Sequence, residues 1–418
     1  MGFFAWTIKR IFDYFKLLKP AFPIKEIGKR LILTLEVAIG QTKILRRPVI
    51  GMLHALVWWG FIVILFGSIE MIVDGLFGTE RILSFLGFFY TILMAGGDLF
   101  GLIILVAILI FLIRRNILKV KRFEGVEMKK ISHQDANVAL GLIGLLMVTL
   151  LGMNTFYLLS TTHEIQGFYP VSSYLAGFFI NVDYETTLIL HEANWWGHIL
   201  LIFLFANILP YSKHFHVFMS VPNVFLTKLK PLGYIDNMPI IENEVRSMIN
   251  PESGAAETDQ EIGRFGMKDV EDGTWKNYLD SLACTQCGRC TSVCPANITG
   301  KLLSPRKLMI DFRARMKEKG PQLLKDKSFD DGKSLLRDYI SEEEIWACTL
   351  CNACAQECPI NMNHPDIIIS LRRYLVMEES AAPAGLNSIF QNIENNGAPW
   401  QFSQEDRMKW ADEIFIQK

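Results

Sequence analysis

Hydrophobic residues are distributed unevenly along this chain. Long apolar runs fill residues 48–210, whereas the sequence after about 228 mixes charged and apolar positions as a soluble protein does. A helix needs about 20 apolar residues to cross roughly 30 Å of hydrocarbon. Four segments meet this requirement: about 49–73, 92–113, 136–159 and 189–210. The pattern therefore predicts a mainly α protein, with a four-span transmembrane helical bundle (48–218) followed by a soluble domain.

Two further apolar stretches are too short or too charged to be spans. Residues 82–90 predict an interfacial helix, because adding them to the second span would make that helix too long. In residues 1–19, apolar side chains recur at helical spacing with lysines and arginines between them. This pattern predicts an amphipathic interfacial helix or the last turns of a truncated span, followed by a cytosolic lead-in that ends at residue 47.

Basic residues indicate the orientation of the bundle. The 114–133 loop holds seven basic residues, whereas 160–190 holds no Lys or Arg. By the positive-inside rule the first loop is cytoplasmic and the second is outside. An even number of spans then places the soluble domain in the cytosol, so we expect a multi-pass protein of the cytoplasmic (inner) membrane.

Composition narrows the functional classes. The chain has 418 residues, 50% of them apolar, with 42 basic and 43 acidic side chains. This balance excludes a disordered chain and gives no reason to expect nucleic acid as a partner. All eight cysteines lie within 284–294 and 348–358. Such clustering is typical of metal ligation in a reducing compartment rather than of a disulfide scaffold.

The two cysteine windows share one spacing. They read CTQCGRCTSVCP and CTLCNACAQECP, each C-x2-C-x2-C-x3-C-P. In two-cluster ferredoxins the first three cysteines hold one [4Fe-4S] cluster and the fourth ligates the other. Structural zinc is the alternative, but it has no use for a third and fourth cysteine at this spacing. The expected ligand sets are Cys284, Cys287, Cys290 and Cys358 for one cluster, and Cys294, Cys348, Cys351 and Cys354 for the other.

The segment between the motifs predicts the type of ferredoxin domain. Helix-like stretches at about 304–319 and 332–340 indicate an α-helical two-cluster domain over 275–377. Residues 219–274 are interpreted as a linker, and 378–418 as an amphipathic tail that docks a partner. Since neither cluster has an open coordination site, the domain is expected to relay electrons and to contain no catalytic residue.

Histidines in the bundle suggest haem. His54 lies about two turns into the first span, and His214 and His216 lie at the exit of the fourth. At this depth His54 can face His216, or His214, as two ligands of a b-type haem. The alternative is that these imidazoles bind headgroups or neighbouring helices.

His198 lies in the middle of the fourth span, and the first span has no histidine at that depth. A second haem, a quinone site, or pairing with His191 or His54 all remain open for it. Most acids of the outer side, including Glu70 and Asp74, are expected to be solvated. Asp98 is a candidate for proton uptake or release at a quinone site.

Taken together, the chain resembles membrane-bound, heterodisulfide-reductase-like iron-sulfur oxidoreductases. In these a cytochrome b anchor, similar to the gamma subunit of respiratory nitrate reductase, is fused to an α-helical two-cluster ferredoxin domain. The resemblance rests on QTKILRRPVIGMLHALVWWGF, WWGHILLIFLFANILPYSKHFHVF, both cysteine windows and NIENNGAPWQ.

The resemblance implies haem b, a menaquinone-type quinone and cytosolic redox partners. It implies that His54 and His216 ligate the haem nearest the cytosol and that His198 matches the ligand of a distal haem. Related chains continue into a cysteine-rich CCG-type domain, whereas this sequence has no cysteine after Cys358. We therefore expect a CCG-domain iron-sulfur subunit, or another cytosolic redox protein, to dock here.

The resulting interpretation is an electron-transfer subunit of a quinone-linked iron-sulfur oxidoreductase complex. It relays electrons between the membrane quinone pool, haem b and two [4Fe-4S] clusters. The rival interpretation is a haem-free anchor that tethers a ferredoxin to the bilayer. A redox-driven ion pump, suggested only by Asp98 and the other outer acids, is the third.

Overall fold

The computed structural model describes residues 2–250 and 263–415 and contains helices but no β-strand within these ranges. The helices are α1 Gly2–Phe15, α2 Ile27–Thr34, α3 Thr42–Leu45, α4 Pro48–Phe77, α5 Phe88–Asn116, α6 Lys130–Ser160, α7 Pro170–Ala176, α8 Tyr184–Ile208, α9 His216–Phe225, α10 Pro239–Ile249, α11 Trp275–Ala283, α12 Arg289–Ser292, α13 Pro295–Ile298, α14 Pro305–Leu323, α15 Glu342–Trp346, α16 Ala353–Glu357, α17 His364–Met377, α18 Ala384–Asn396 and α19 Lys409–Phe415. The prediction of a mainly α protein is confirmed.

The four predicted spans are confirmed as helices that are long and apolar enough to cross a membrane. They are α4, α5, α6 and α8, the last extended by a 3₁₀ turn to Tyr211. Neighbouring helices pack in the order α4, α5, α6, α8. One prediction needs correction, because only Ile82–Leu86 forms a short 3₁₀ helix before Gly87, and residues 88–91 begin α5. Around residues 82–91, large apolar side chains on the surface of the bundle are exposed, as lipid-facing residues would be.

Two carboxylates tie loops at the end of the bundle away from the cysteine motifs to the spans instead of facing water. Asp98 is 1% exposed and accepts hydrogen bonds from the backbone N–H of Val171 (2.7 Å) and Ser172 (3.0 Å), at the start of α7. Glu70 accepts from the N–H of Leu83 at 2.9 Å. The expectation that Glu70 is solvated was therefore wrong, because folding brings the loop backbone to the carboxylate.

The N-terminal helix α1 packs against protein on one face. Tyr14 and Ile11 are buried in the core of the soluble domain, and the rings of Phe15 and Tyr278 lie 4.9 Å apart. At the other end of the helix the Thr7 hydroxyl is 2.9 Å from the hydroxyl of Tyr211. The amphipathic pattern predicted the helix correctly, but its inward face contacts the soluble domain and α8.

The soluble domain is built around α11, α14 and α17. Phe312, Met316, Ile367 and Leu371 are completely buried between these helices. The predicted helix over 332–340 is not regular, since residues 336 and 337 have non-helical backbone angles. Arg337 has φ 76°, which breaks the helical path before α15 begins.

Both ends of the predicted 219–274 linker are packed. Residues 219–225 complete α9, which packs on α11. At the other end, Val270 and Met267 are buried in the core of the soluble domain. Residues 251–262 lie outside the described ranges, so the interpretation of that stretch as a linker stays a prediction.

Candidate functional site: two cysteine motifs at the end of a helical bundle

The two cysteine motifs adopt the same backbone turn. The residue after the second cysteine is left-handed in both, with φ 72° at Gly288 and φ 59° at Asn352, and each precedes a short helix. The residue before that cysteine is also left-handed in both, at Gln286 and Leu350. Glycine and asparagine adopt a left-handed backbone readily. Gly288 and Asn352 therefore favour the turn at the position after the second cysteine.

The fourth cysteine of each motif faces the other motif. Cys358 interacts electrostatically with Cys284 and Cys287. Cys354 interacts with Cys294 as well as with Cys348. A small cavity is lined by one complete crossed set, Cys294, Cys348, Cys351 and Cys354. Within the described residues no three His, Cys, Asp or Glu side chains lie close enough to hold a single metal ion.

Exposure differs between the two sets of cysteines. Cys351 is the exposed one, and Cys287 and Cys348 are half-buried. The other five are buried. The set that includes Cys351 is called here the outer set. A group held by this set would lie closest to solvent. The set that includes Cys287 is called the membrane-side set because it faces the bundle.

The first motif sits directly on the bundle. A Cβ atom added at Gly288 would lie 2.3 Å from the carbonyl oxygen of Arg122, in the loop between α5 and α6. The Gln286 side chain contacts the hydroxyl of Ser132, and Lys213 Nζ donates to that hydroxyl at 2.9 Å and to Gln286 Oε1 at 3.3 Å. The absence of a side chain at Gly288 is thus what allows the motif to approach the loop so closely.

Two arginines near the first motif are buried in this interface. Arg289 donates to the carbonyl oxygens of Lys43 (2.9 Å) and Ile44 (3.3 Å), just before α4. Arg306 is 1% exposed and its Nε donates to Glu127 Oε1 at 2.7 Å. They dock the domain on the bundle and are not solvated charges.

The second motif contacts the segment that leads into α4. Arg47 forms an ion pair of 3.0 Å with Glu357 of α16. Lys43 Nζ donates to the carbonyl of Cys358 at 3.3 Å. Both cysteine motifs therefore touch the few residues that precede the first span.

Three histidines meet at this end of the bundle. His54 interacts electrostatically with His216 and with Arg289, and His214 interacts with both His216 and His54. The rings of His214 and His216 are 5.8 Å apart. Burial lowers the pKa of His214 to about 3 and also lowers the pKa of His216, which keeps both imidazoles neutral, the form that ligates metal.

Hydrogen bonds leave ring nitrogens free for a ligand. His216 Nδ1 lies 3.1 Å from the carbonyl of Lys213, an arrangement that places the proton on Nδ1 and the lone pair on Nε2. His54 Nδ1 is buried and has no hydrogen-bond partner among the residues that the structure describes. An unpaired buried nitrogen is costly, so this residue suits a site that a ligand completes.

His198 lies elsewhere, in the half of the bundle away from the cysteine motifs. It is buried, and its Nδ1 is 2.9 Å from the Thr149 hydroxyl. It lines a cavity of about 290 Å³ together with His191, Asp98 and Arg81. The α4 side of this cavity offers no histidine, in line with the sequence expectation.

Sequence reasoning missed Arg81 and Arg122. Arg81 is half-buried over the ring of Tyr157, 4.3 Å from its centroid. Its position as a lone arginine between the first two spans was a usable signal. Nothing in the sequence distinguished Arg122 from the basic residues around it, because the cysteine motif that it faces lies far along the chain.

Comparison with known proteins supports the iron-sulfur interpretation. Residues 276–359 match the family model described as a 4Fe-4S dicluster domain. The prediction of iron-sulfur clusters is thereby confirmed. No solved structure matches the chain.

Two relatives that match nearly the whole chain are oxidoreductases by name. The chain is 30% identical over 440 residues to the probable iron-sulfur-binding oxidoreductase FadF of Bacillus subtilis (strain 168), covering 98% of this chain and 59% of that protein. It is 28% identical to the EtfAB:quinone oxidoreductase of Syntrophomonas wolfei, covering 90% of this chain and 53% of the relative. A shorter match, 27% identical over 34% of this chain and 36% of the relative, is to a component of the dihydromethanophenazine:CoB--CoM heterodisulfide reductase of Methanosarcina barkeri (strain Fusaro).

The chain thus spans little more than half the length of the first two relatives. The match to a heterodisulfide reductase component agrees with the resemblance described above.

Proposed function

We propose that this chain is a membrane-bound electron-transfer subunit that relays electrons between membrane quinone, a b-type haem and two [4Fe-4S] clusters, to or from a cytosolic redox partner. The observation that supports it most is the contact between the first cysteine motif and the histidine end of the bundle. His54 lies within electrostatic reach of Arg289, which belongs to that motif. A redox group bound by the histidines would therefore neighbour one bound by the membrane-side cysteines.

The proposed haem ligands are His54 and His216, with His214 beside them. A b-type haem supplies one-electron transfer, and its axial ligands must be neutral imidazoles with a free nitrogen. His216 meets both conditions through its contact with Lys213, and His54 has a buried nitrogen that lacks a partner. His214 Nδ1 lies 3.5 Å from the Ser212 hydroxyl, so His214 is the alternative to His216 as a haem ligand.

The proposed quinone site is the cavity around His198. Its volume of about 290 Å³ is at the small end of ligand pockets, and its lining combines apolar side chains with polar and charged ones, among them Glu70, Arg81 and Asp98, which supply groups that orient a ligand. His191 and His198 lie on the same helix and cannot face each other across a haem. The cavity therefore favours a quinone over a second haem.

Asp98 is a weak candidate for proton transfer at this site. Its carboxylate already accepts two backbone N–H groups of α7, which is a structural role. The basic residues at the cysteine-domain end of the bundle support a cytosolic location for that domain. The exposed Cys351 supports docking of the partner, whether a CCG-domain subunit or another redox protein, at the outer set.

The test is an optical spectrum of the purified protein, reduced with dithionite minus oxidised, together with a pyridine haemochrome assay. We expect a b-type haem band that is lost in His54→Ala and in His216→Ala. His163→Ala is the matched control, because His163 lies exposed on the loop after α6 and should leave the band intact.

Iron and sulfide analysis of the same samples separates the two candidate functions. Iron-sulfur absorbance without any haem band in the native protein would contradict the proposal and favour the haem-free anchor. Purification that reproducibly yields no iron-sulfur polypeptide or other redox protein alongside the tagged chain would count against the docking partner.

A further inference from the structure

Arginines of the soluble domain and of the bundle loop that it contacts fall into two groups according to their partners. Arg306 and Arg315 are neutralised by carboxylates, at 2.7 Å from Glu127 and 2.7 Å from Asp269 respectively. A second group, near the cysteines, directs its hydrogen bonds to main-chain carbonyl groups or has unpaired nitrogens. Such arginines keep an uncompensated positive charge in a partly buried site, where its electrostatic effect is strong.

Arg122 is the clearest member of the second group. It lies in the 3₁₀ turn Lys121–Phe123 between α5 and α6. Its Nε and one terminal nitrogen are buried, and neither has a hydrogen-bond partner within the described ranges. The guanidinium lies within electrostatic reach of Cys287, so its positive charge acts on the membrane-side cysteine set.

Two more arginines face the same set. Arg289 donates hydrogen bonds to carbonyl oxygens and lies within electrostatic reach of Cys287, Cys358 and the Glu357 carboxylate, which is itself paired with Arg47. Arg313 donates to the carbonyl of Cys284 at 3.2 Å. Within the described residues, the membrane-side set therefore has three arginines around it, none of which is hydrogen-bonded to a carboxylate.

The outer set has one such arginine. Arg372 donates to the carbonyl oxygens of Ile345 (2.8 Å) and Cys348 (2.6 Å). Its Nε is buried without a partner. Solvent at Cys351 also screens charge on this side.

We propose that this asymmetry gives a cluster bound by the membrane-side set a higher reduction potential than one bound by the outer set, with Arg122 tuning the former and Arg372 the latter. The inference rests on the proposed function for the presence of two clusters. Its physical basis is that reduction adds a negative charge, which nearby cations stabilise. A higher potential on the membrane side favours accumulation of electrons next to the bundle.

The experiment is a redox titration followed by electron paramagnetic resonance on the purified full chain. In Arg122→Gln we expect the higher-potential cluster alone to become at least tenfold harder to reduce, which is a fall of 59 mV for a one-electron couple. In Arg372→Gln the reduction potential of the lower-potential cluster alone should fall. Arg122→Lys should retain most of the native potential.

Lys121→Gln is the matched control, since Lys121 is exposed and adjacent to Arg122. It should move neither potential. A shift of the lower-potential cluster in Arg122→Gln would overturn the proposed order. Unchanged potentials in both arginine variants would overturn the role of the charges.

Should Arg122→Gln fail to assemble the membrane-side cluster, Arg372→Gln still tests the proposed order of potentials. A shift of the higher-potential cluster in Arg372→Gln would contradict that order. Absence of two clusters from the native protein would instead refute the proposed function. Iron and sulfide analysis distinguishes these two failures.

Discussion

The guanidinium of Arg306 and the carboxylate of Glu127 form a buried ion pair that joins the soluble domain to the loop between the second and third spans. The Nε to Oε1 distance is 2.7 Å, and the two side chains are 1% and 3% exposed. The same guanidinium donates to the carbonyls of Arg122 and Glu124 at 2.8 and 2.7 Å. One side chain thus fixes the loop that faces the first cysteine motif.

Removal of Glu127 should destabilise this interface strongly. In Glu127→Gln we expect a loss of about 3–5 kcal/mol, since a buried arginine would remain without its counterion. The measurement is thermal unfolding of the detergent-solubilised protein, followed by tryptophan fluorescence. Glu242→Gln removes the partner of the exposed Arg246 and should leave the melting temperature nearly unchanged. Equal effects of the two variants would contradict the structural role of the buried pair.

Acid should destabilise the soluble domain because it protonates the Asp269 carboxylate. Burial alone would raise the pKa of this carboxyl, but hydrogen bonds from Arg315 and Lys319 outweigh it and the pKa is lowered from its ordinary 3.8. The stabilisation is therefore complete above about pH 3.8 and disappears as the pH falls through the lower native pKa. Asp269→Asn should lose about 3–5 kcal/mol near neutral pH and show a weaker acid dependence than the native protein.

Melting curves between pH 3 and pH 7 check this prediction. Asp330→Asn is the control, because Asp330 is exposed and accepts one hydrogen bond, from Gly332 N–H at 2.8 Å. It should change stability by less than about 0.5 kcal/mol. An identical acid dependence in Asp269→Asn and in the native protein would rule out this origin of acid sensitivity.

The crossed ligand sets predict which cluster each cysteine variant loses. Cys294→Ala should lose the outer cluster although Cys294 belongs to the first motif, and Cys358→Ala should lose the membrane-side cluster. Each variant should fall from about eight iron atoms per chain to about four. Iron analysis with electron paramagnetic resonance checks this. The opposite assignment, with each motif holding its own cluster, would require Cys294→Ala and Cys284→Ala to lose the same signal.

Gly288 should tolerate no side chain. Gly288→Ala combines a positive φ with a Cβ contact of 2.3 Å to the carbonyl of Arg122. Gly300→Ala is matched, since its φ is 84° and nothing lies within 4 Å of the added Cβ. We expect about 1–2 kcal/mol of strain in Gly300→Ala and a larger loss in Gly288→Ala, with loosened docking detected as faster proteolysis of the 117–129 loop. Equal losses would show that the close approach to Arg122 contributes nothing.

Much of the architecture could be predicted because it depends on local patterns. The four spans followed from apolar length, and the cluster type followed from cysteine spacing. The surroundings of individual charges could not be predicted in the same way. Arg306 appeared to be one more basic residue beside a motif, yet its partner Glu127 is 179 residues away.

The amphipathic pattern of α1 illustrates the same limit. Helical spacing shows that one face is apolar, but it does not show whether lipid or protein covers that face. Tyr14 and Ile11 are covered by the soluble domain, whereas Phe3 and Trp6 stay exposed. Both surroundings are consistent with one sequence pattern.

The residues that precede the first span connect both cysteine motifs to the bundle, through Arg289 to the Lys43 carbonyl and through Arg47 to Glu357. A carrier that swings between a donor and an acceptor needs loose attachment, and its turnover slows in a viscous solvent. Attachment at both motifs instead makes the soluble domain a fixed extension of the bundle. If the proposed function holds, the spacing between its redox groups is set by packing, so turnover should be limited by the arrival of quinone and partner and not by motion of this domain.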